Sequence, residues 1–309
     1  MRSPQVVSDP GLPDRVTIYE VGPRDGLQNE KSVVPLDAKV EFVQRLVAAG
    51  LPVVEVTSFV HPAWVPQLAD AADLVTRIDL AGPVPMPVLV PNLRGLDRAL
   101  TARAQHIAIF GSATESFARA NLNRGLDEQY AMFEPVVGRA RAEGLDVRAY
   151  LSMCFGDPWE GDVAVDQVVT AGIRLLDLGA TQLSLGDTIG VGTTGHVVAL
   201  IDAFADAGVP PGRLAMHFHD TYGQALANAS AALHHGITTF DASAGGLGGC
   251  PYAKSATGNL ATEDLVWMLS GLGVDTGVDL ESLVDTSRWM AGQLGRPSPS
   301  RVVTALSGG

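Results

Sequence analysis

Short apolar, β-branched runs alternate with longer amphipathic stretches along the whole chain. The short runs predict strands at 16–21, 53–57, 84–90, 106–110, 147–152, 182–185, 214–219 and 238–242, because a buried strand reads as a brief apolar run bounded by turn residues. The stretches between them predict helices at 37–49, 66–78, 93–102, 127–143, 163–178, 194–207, 223–235 and 262–272. In the first helix Val40, Val43, Leu46 and Val47 recur at helical spacing, with Lys39, Glu41 and Arg45 interleaved, which marks one core-facing stripe. Glycine follows several helices just ahead of the next strand, as at Gly50, Gly144, Gly208 and Gly236, where it accepts a left-handed cap. Pro135 inside the fourth helix predicts a kink or a break.

Eight consecutive strand–helix units predict an α/β fold of the (β/α)8 TIM-barrel type, with a doubly wound open sheet as the alternative. No linker or shift in composition divides the chain. Residues 16–309 are therefore expected as one catalytic domain behind a flexible 1–15 segment. An additional C-terminal helix at 280–294 is expected over the barrel edge, followed by a mobile tail containing Ser, Pro and Gly.

Barrel active sites form at the C-terminal ends of the strands, and the unusual polar residues collect there. His217 and His219, at i and i+2 near the end of the seventh strand, point to one face and suit a shared metal ion; a satisfied structural pair is the other reading. Arg24 and Asp25 follow the first strand, Glu55 lies in the second, Asp187 follows the sixth, and Cys250 and Asn259 follow the eighth. Asp25 before Gly26 also suits an ordinary turn, Asp187 likewise, and Asn259 suits a helix cap. Glu55 in a barrel strand needs a partner, which a structural arginine pair would supply. The glycines around Leu247, next to Cys250, suit a mobile lid.

Composition narrows the partners. The chain has 309 residues, 46% hydrophobic and 18% charged, with a formal net charge of −13, which argues against nucleic acid and against an anionic membrane surface. An anionic substrate would need a local basic pocket, with Arg24 the first candidate. Two cysteines far apart in sequence, Cys154 and Cys250, make no disulfide framework and suit a reduced, cytoplasmic setting. The first fifteen residues lack the apolar core of a signal peptide. Cys154 reads as a small core residue. His234 and His235 read as helix-terminal, and His61, His106 and His196 lack ligand-type neighbours in sequence. Gly190–Gly195 lacks the Lys-Ser/Thr ending of a phosphate loop.

Four stretches carry a resemblance. Glu20-Val-Gly-Pro-Arg-Asp-Gly-Leu-Gln-Asn-Glu30, Ser184-Leu-Gly-Asp-Thr-Ile-Gly-Val-Gly192, His217-Phe-His-Asp-Thr-Tyr-Gly-Gln-Ala-Leu-Ala-Asn228 and Gly245-Gly-Leu-Gly-Gly-Cys-Pro-Tyr252 resemble the hydroxymethylglutaryl-CoA lyase family, part of a wider barrel superfamily that includes Claisen-type synthases. The resemblance implies a divalent ion, Mg²⁺ or Mn²⁺, held by Asp25, His217, His219 and Asn259, with Zn²⁺ the physical alternative if only three protein ligands engage. It implies Arg24 on the thioester oxygen, Cys250 as the loop cysteine, and Glu55 and Asp187 shaping the site. The implied reaction is retro-Claisen cleavage of 3-hydroxy-3-methylglutaryl-CoA to acetyl-CoA and acetoacetate, as in leucine degradation and ketone-body metabolism. Rival readings are a lyase for another 3-hydroxyacyl-CoA, a 2-alkylmalate-type synthase, and a non-catalytic acyl-CoA or metal binder. An acyl-CoA and further copies of the chain, as in a homodimer, are the expected partners. One departure concerns coenzyme A: where the family carries polar and basic residues, this chain has Leu294-Gly295-Arg296-Pro297-Ser298, in which Arg296 can still serve but Gly295 and Pro297 supply no side-chain donor.

Overall fold

Parallel pairing runs through eight strands and returns to its start. In the computed structural model, which describes residues 3–249 and 258–307, β1 (Thr17–Glu20) pairs with β8 (Thr239–Ala242) on one side. On the other it pairs with the first half of β2 (Val53–Val54), whose second half (Thr57–Ser58) pairs with β3 (Val88–Leu89). Between the halves, Glu55 N donates to Glu20 O at 2.8 Å and Val56 N to Pro87 O at 3.0 Å, so β2 joins both neighbours. The ladder continues through β4 (His106–Ser112), β5 (Asp146–Ser152), β6 (Gln182–Asp187) and β7 (Leu214–Phe218) to β8. This is the expected (β/α)8 barrel.

The helices are α1 (Leu36–Ala48), α2 (Ala71–Arg77), α3 (Leu93–Thr101), α4 (Glu115–Leu122), α5 (Leu126–Ala142), α6 (Val165–Asp177), α7 (Thr194–Asp206), α8 (Ala225–His234), α9 (Thr262–Gly271), α10 (Leu280–Leu294) and α11 (Arg301–Ser307). Four differ from expectation. The helix expected at 66–78 is a 3-10 turn, Pro66–Leu68, and then α2. Pro135 does not break α5: it is exposed beside buried Phe133 and Val136, so the carbonyl deprived of its amide partner meets water. Helix α4 was not expected, because only Phe117 and Ala118 of it are buried, too few to show a period. The tail is not loose either as far as residue 307. Asp264 accepts Ser300 Oγ at 2.7 Å and Val302 N at 2.8 Å, capping α11, whose Val302 and Val303 pack on Val284.

The lead-in segment is also tied down where it is described: Val7 N donates to Gly271 O at 2.9 Å and Val16 N to Asp275 O at 2.9 Å. Helix α10 has the expected bounds. Asp279 caps it through Ser282 N at 2.6 Å, and Arg45 of α1 stacks over its Trp289 at 4.7 Å.

Alternate residues of each strand point into the barrel. Tyr19, Val21, Leu89, Ala108 and Tyr150 form a small apolar cluster of their own. Around it Glu55, Arg148, Ser184 and Asp241 are buried. A polar barrel interior of this kind is costly unless every charge is paired, and it is the platform on which the site is built.

Candidate active site

One tight turn after β1 presents two charged side chains together. The amides of Arg24, Asp25 and Gly26 all reach Val21 O, at 3.2, 2.8 and 3.1 Å, giving a single π-turn. Gly26 is required there: a Cβ would lie 2.8 Å from Ser243 Oγ and 2.9 Å from Leu247 Cβ. Arg24 Nη1 donates to Asp25 Oδ1 at 2.8 Å. On its other edge Arg24 binds Glu55.

His217 and His219 lie on one face, ring centroids 5.2 Å apart. Asn259 arrives beside them because residues 258–260 pair with the chain just beyond β7. Leu260 N donates to Phe218 O at 2.9 Å, Asp220 N donates to Gly258 O at 3.1 Å, and His219 and Asn259 form a bridge. Asn259 Nδ2 then donates to Asp25 Oδ2 at 2.8 Å. Ligand atoms of Asp25, His217 and His219 lie within 4.8 Å of one another.

The electrostatics favour ligand forms. Burial works against an ionised Asp25, but Arg24 and then the two histidines outweigh it and hold its carboxyl below the usual range. Burial, with His217 adding to it, pushes His219 down to about 4, so it is neutral at pH 7. Among the described residues, two buried atoms at the site, His219 Nδ1 and Asn259 Oδ1, have no hydrogen-bond partner. A carboxylate, two imidazoles and an amide oxygen are a donor set that Mg²⁺ or Mn²⁺ accepts. The residues fit a divalent ion.

A cavity of about 370 Å³ opens over these groups, lined by Arg24, Asp25, His217, His219 and Tyr150 and walled further out by Trp64 and Phe117. Of the residues expected at the site, Arg24, Asp25, His217 and His219 line this cavity, and Asn259 binds to one of them. Glu55 is fully buried behind Arg24. Asp187 accepts Val191 N and Gly192 N, each at 2.9 Å, and so folds the turn after β6, beside Gly186 and Thr188 on the cavity wall. Burial raises its carboxyl to about 6, against these amides. Cys250 lies outside the described residues; Gly249 before it lines the cavity. Cys154 is a buried residue whose Sγ donates to Leu151 O at 3.1 Å, and burial pushes its thiol well up.

A second cavity of about 430 Å³ lies next to the first along Asn29, with Lys31, Ser32, Gly248 and Arg296 on its walls. Arg296 is paired with both oxygens of Glu30.

Sequence reasoning did not single out Tyr150, Ser184, Arg148 or Asp241. Their one signal was polarity at inward positions of apolar strands. Tyr150 donates its hydroxyl to Glu55 Oε2 at 2.8 Å. Arg148 and Asp241 form a buried ion pair, Nη2 to Oδ1 at 2.5 Å. Burial opposes the charge on Asp241, yet Arg148 and His217 bring it down to about 2.

Comparison with known proteins agrees with this geometry. Residues 15–290 match the HMGL-like family. The chain is 51% identical over 297 residues to the mitochondrial hydroxymethylglutaryl-CoA lyase of Arabidopsis thaliana, covering 96% of this chain and 63% of that protein. It is 49% identical to the mitochondrial enzyme of Rattus norvegicus over 95% of this chain and 90% of that one. Among solved structures, hydroxymethylglutaryl-CoA lyase from Pseudomonas aeruginosa superposes with a TM-score of 0.93 at 47% identity, covering 96% and 99% of the two chains. A lyase from Acinetobacter baumannii in complex with coenzyme A and 3-methylmalate gives 0.90 at 33%, covering 97% of each. With its barrel, its clustered ligand residues and these relatives in agreement, the chain belongs to the HMGL-like family, alongside the hydroxymethylglutaryl-CoA lyases.

Proposed function

We propose that this chain is a carbon–carbon lyase that cleaves 3-hydroxy-3-methylglutaryl-CoA to acetyl-CoA and acetoacetate. The observation that carries the reading is the placement of Arg24 directly beside Asp25, both on the wall of the cavity that also holds His217 and His219. Cleavage needs a negative charge on the tertiary hydroxyl oxygen first and on the thioester oxygen afterwards. Asp25, His217, His219 and Asn259 are the residues to hold Mg²⁺ or Mn²⁺. A bound ion of that kind supplies Lewis acidity that lowers the pKa of the substrate hydroxyl.

Asp25 is our candidate to take the hydroxyl proton. The C2–C3 bond then breaks, its electrons pass to the thioester as an enolate, and C3 becomes the ketone of acetoacetate. Arg24 offers a fixed guanidinium to the enolate oxygen, a contribution of about 3–4 kcal/mol for a typical oxyanion donor. A proton delivered to C2, with Cys250 as the proposed donor, completes acetyl-CoA. Tyr150, Trp64 and Phe117 wall the cavity and limit water around the enolate. The adjoining cavity supplies the local basic groups a coenzyme A phosphate needs on a chain of net charge −13. Lys31 is our candidate there, since Arg296 already serves Glu30.

Purified protein with Mg²⁺ or Mn²⁺ should release acetyl-CoA and acetoacetate in equal amounts from 3-hydroxy-3-methylglutaryl-CoA. A panel of longer and differently branched 3-hydroxyacyl-CoAs tests the rival lyase reading. Cleavage of one of them with no turnover of the methylglutaryl compound would replace the substrate proposed here.

A further inference from the structure

Beneath the candidate metal residues lies an ion pair that the reaction does not itself require. Asp241 and His217 are cross-strand partners of β8 and β7, both inward, and Asp241 Oδ2 lies 3.3 Å from His217 Nδ1. Among the described residues, every other partner of that carboxylate is a donor. Arg148 Nη2 reaches Oδ1 at 2.5 Å, Arg148 Nη1 reaches Oδ2 at 3.2 Å, and Ser184 Oγ donates to Oδ2 at 2.7 Å. Arg148 in turn is fixed by Gln182 Oε1, 2.9 Å from its Nε, and lies between the rings of Tyr19 and Tyr150 at 4.0 and 4.8 Å.

A buried ion pair is weak evidence for stability, since apolar residues of the same volume often serve as well. This one has a geometric consequence. An ionised carboxylate can only accept, so the His217 nitrogen facing it must carry the hydrogen. In neutral imidazole the proton then sits on Nδ1, and the lone pair on Nε2 is left for the cavity. His219 shows the contrast: among the described residues its buried Nδ1 has no hydrogen-bond partner.

We infer that Asp241 is a positioning residue that locks His217 in its Nδ1–H tautomer with Nε2 presented to the metal site, and that Arg148 holds Asp241 in place. The consequence for metal rests on the metal-dependent reading above; the tautomer itself does not.

Two measurements test this. The first is long-range ¹H–¹⁵N correlation NMR of the full, metal-free, histidine-labelled protein at mildly alkaline pH. It should show His217 with its proton on Nδ1. An Nε2–H tautomer in the unaltered protein overturns the inference, and this arm needs no variant to fold. The second is Asp241→Asn, checked for native circular dichroism and titrated with Mn²⁺. The variant should lose the tautomer preference and bind Mn²⁺ about 10–100-fold more weakly, the usual cost of removing a group that orients a metal-bound histidine. A folded variant with unchanged tautomer and unchanged affinity overturns it equally. Should the unaltered protein show the Nδ1–H tautomer but bind no Mn²⁺, the metal-dependent reading fails while the lock stands.

Discussion

Arg24 places both Nε and Nη2 2.8 Å from a single oxygen of Glu55, Oε2. Tyr150 donates to the same oxygen from the other side, at 2.8 Å. The contact fixes the plane of the guanidinium, not merely its position. It also leaves Nη1 turned to Asp25, so one arginine spans the buried floor and the candidate metal residues. Burial raises the Glu55 carboxyl, and Arg24 opposes that shift most strongly.

Arg24→Lys keeps the charge and loses the planar fork. The ammonium cannot hold Glu55 and Asp25 while facing the enolate oxygen. Turnover should fall by about 100-fold or more, on the scale of a lost oxyanion donor, while KM moves only a few-fold and metal content is unchanged. Steady-state kinetics with elemental analysis check this, and turnover within a few-fold of the parent would remove Arg24 from the enolate step.

His217→Ala or His219→Ala should greatly weaken binding of Mn²⁺ while the barrel stays folded. Both side chains sit at the mouth and contribute little to the packing between sheet and helices. Calorimetric titration and elemental analysis are the readouts. Full metal stoichiometry in both variants would exclude this cluster as the site.

Glu20 and Glu263 grip the turn that opens the Gly-rich loop. Ala244 N donates to Glu20 Oε1 at 2.8 Å, and Gly245 N donates to Glu263 at 3.0 Å. The turn itself needs glycine, since Gly245 and Gly246 have φ of 68° and 65°. Burial, against these hydrogen bonds, raises Glu20 to about 7 and Glu263 to about 8. An unfolded glutamate titrates near its ordinary value of 4.5. Between those values the folded state holds more protons than the unfolded one, so stability falls as pH rises. Thermal melts should therefore lose several degrees from about pH 5 to about pH 8.5, and Glu263→Gln should flatten the slope. An identical slope in that variant would show that Glu263 does not titrate in this window.

Local signals explain what could be read early. The β-branched runs mark all eight strands, because each is buried by the sheet's own neighbours. The one-residue spacing of His217 and His219 puts both on one face wherever the strand ends. The distant contacts carried no such mark. Arg148 and Asp241 are 93 positions apart, and a lone charge in an apolar run shows that a partner is needed without showing which. Arg296 looked free to bind coenzyme A because Glu30, 266 positions away, is brought beside it only by the fold. Asp187 holds the turn after β6 through Val191 N and Gly192 N, which its place among glycines already suggests.

The two cysteines should behave oppositely, and the contrast tests the loop. Cys154 is buried at the end of β5, its Sγ bound to Leu151 O. Burial, with Asp187 adding to it, pushes that thiol up, so it should resist alkylation and tolerate Cys154→Ala with activity nearly intact. Cys250 follows Gly249, which lines the cavity, and we propose that its thiol serves the proton transfer there. Cys250→Ala should cut turnover by about 100-fold or more, within the range of general acid–base effects, and metal content should stay normal. Iodoacetamide should label one thiol quickly and the other slowly, with substrate protecting the fast one. Peptide mapping identifies which is which. Equal labelling of both, or a fully active Cys250→Ala protein, would show that the loop cysteine takes no part in the chemistry.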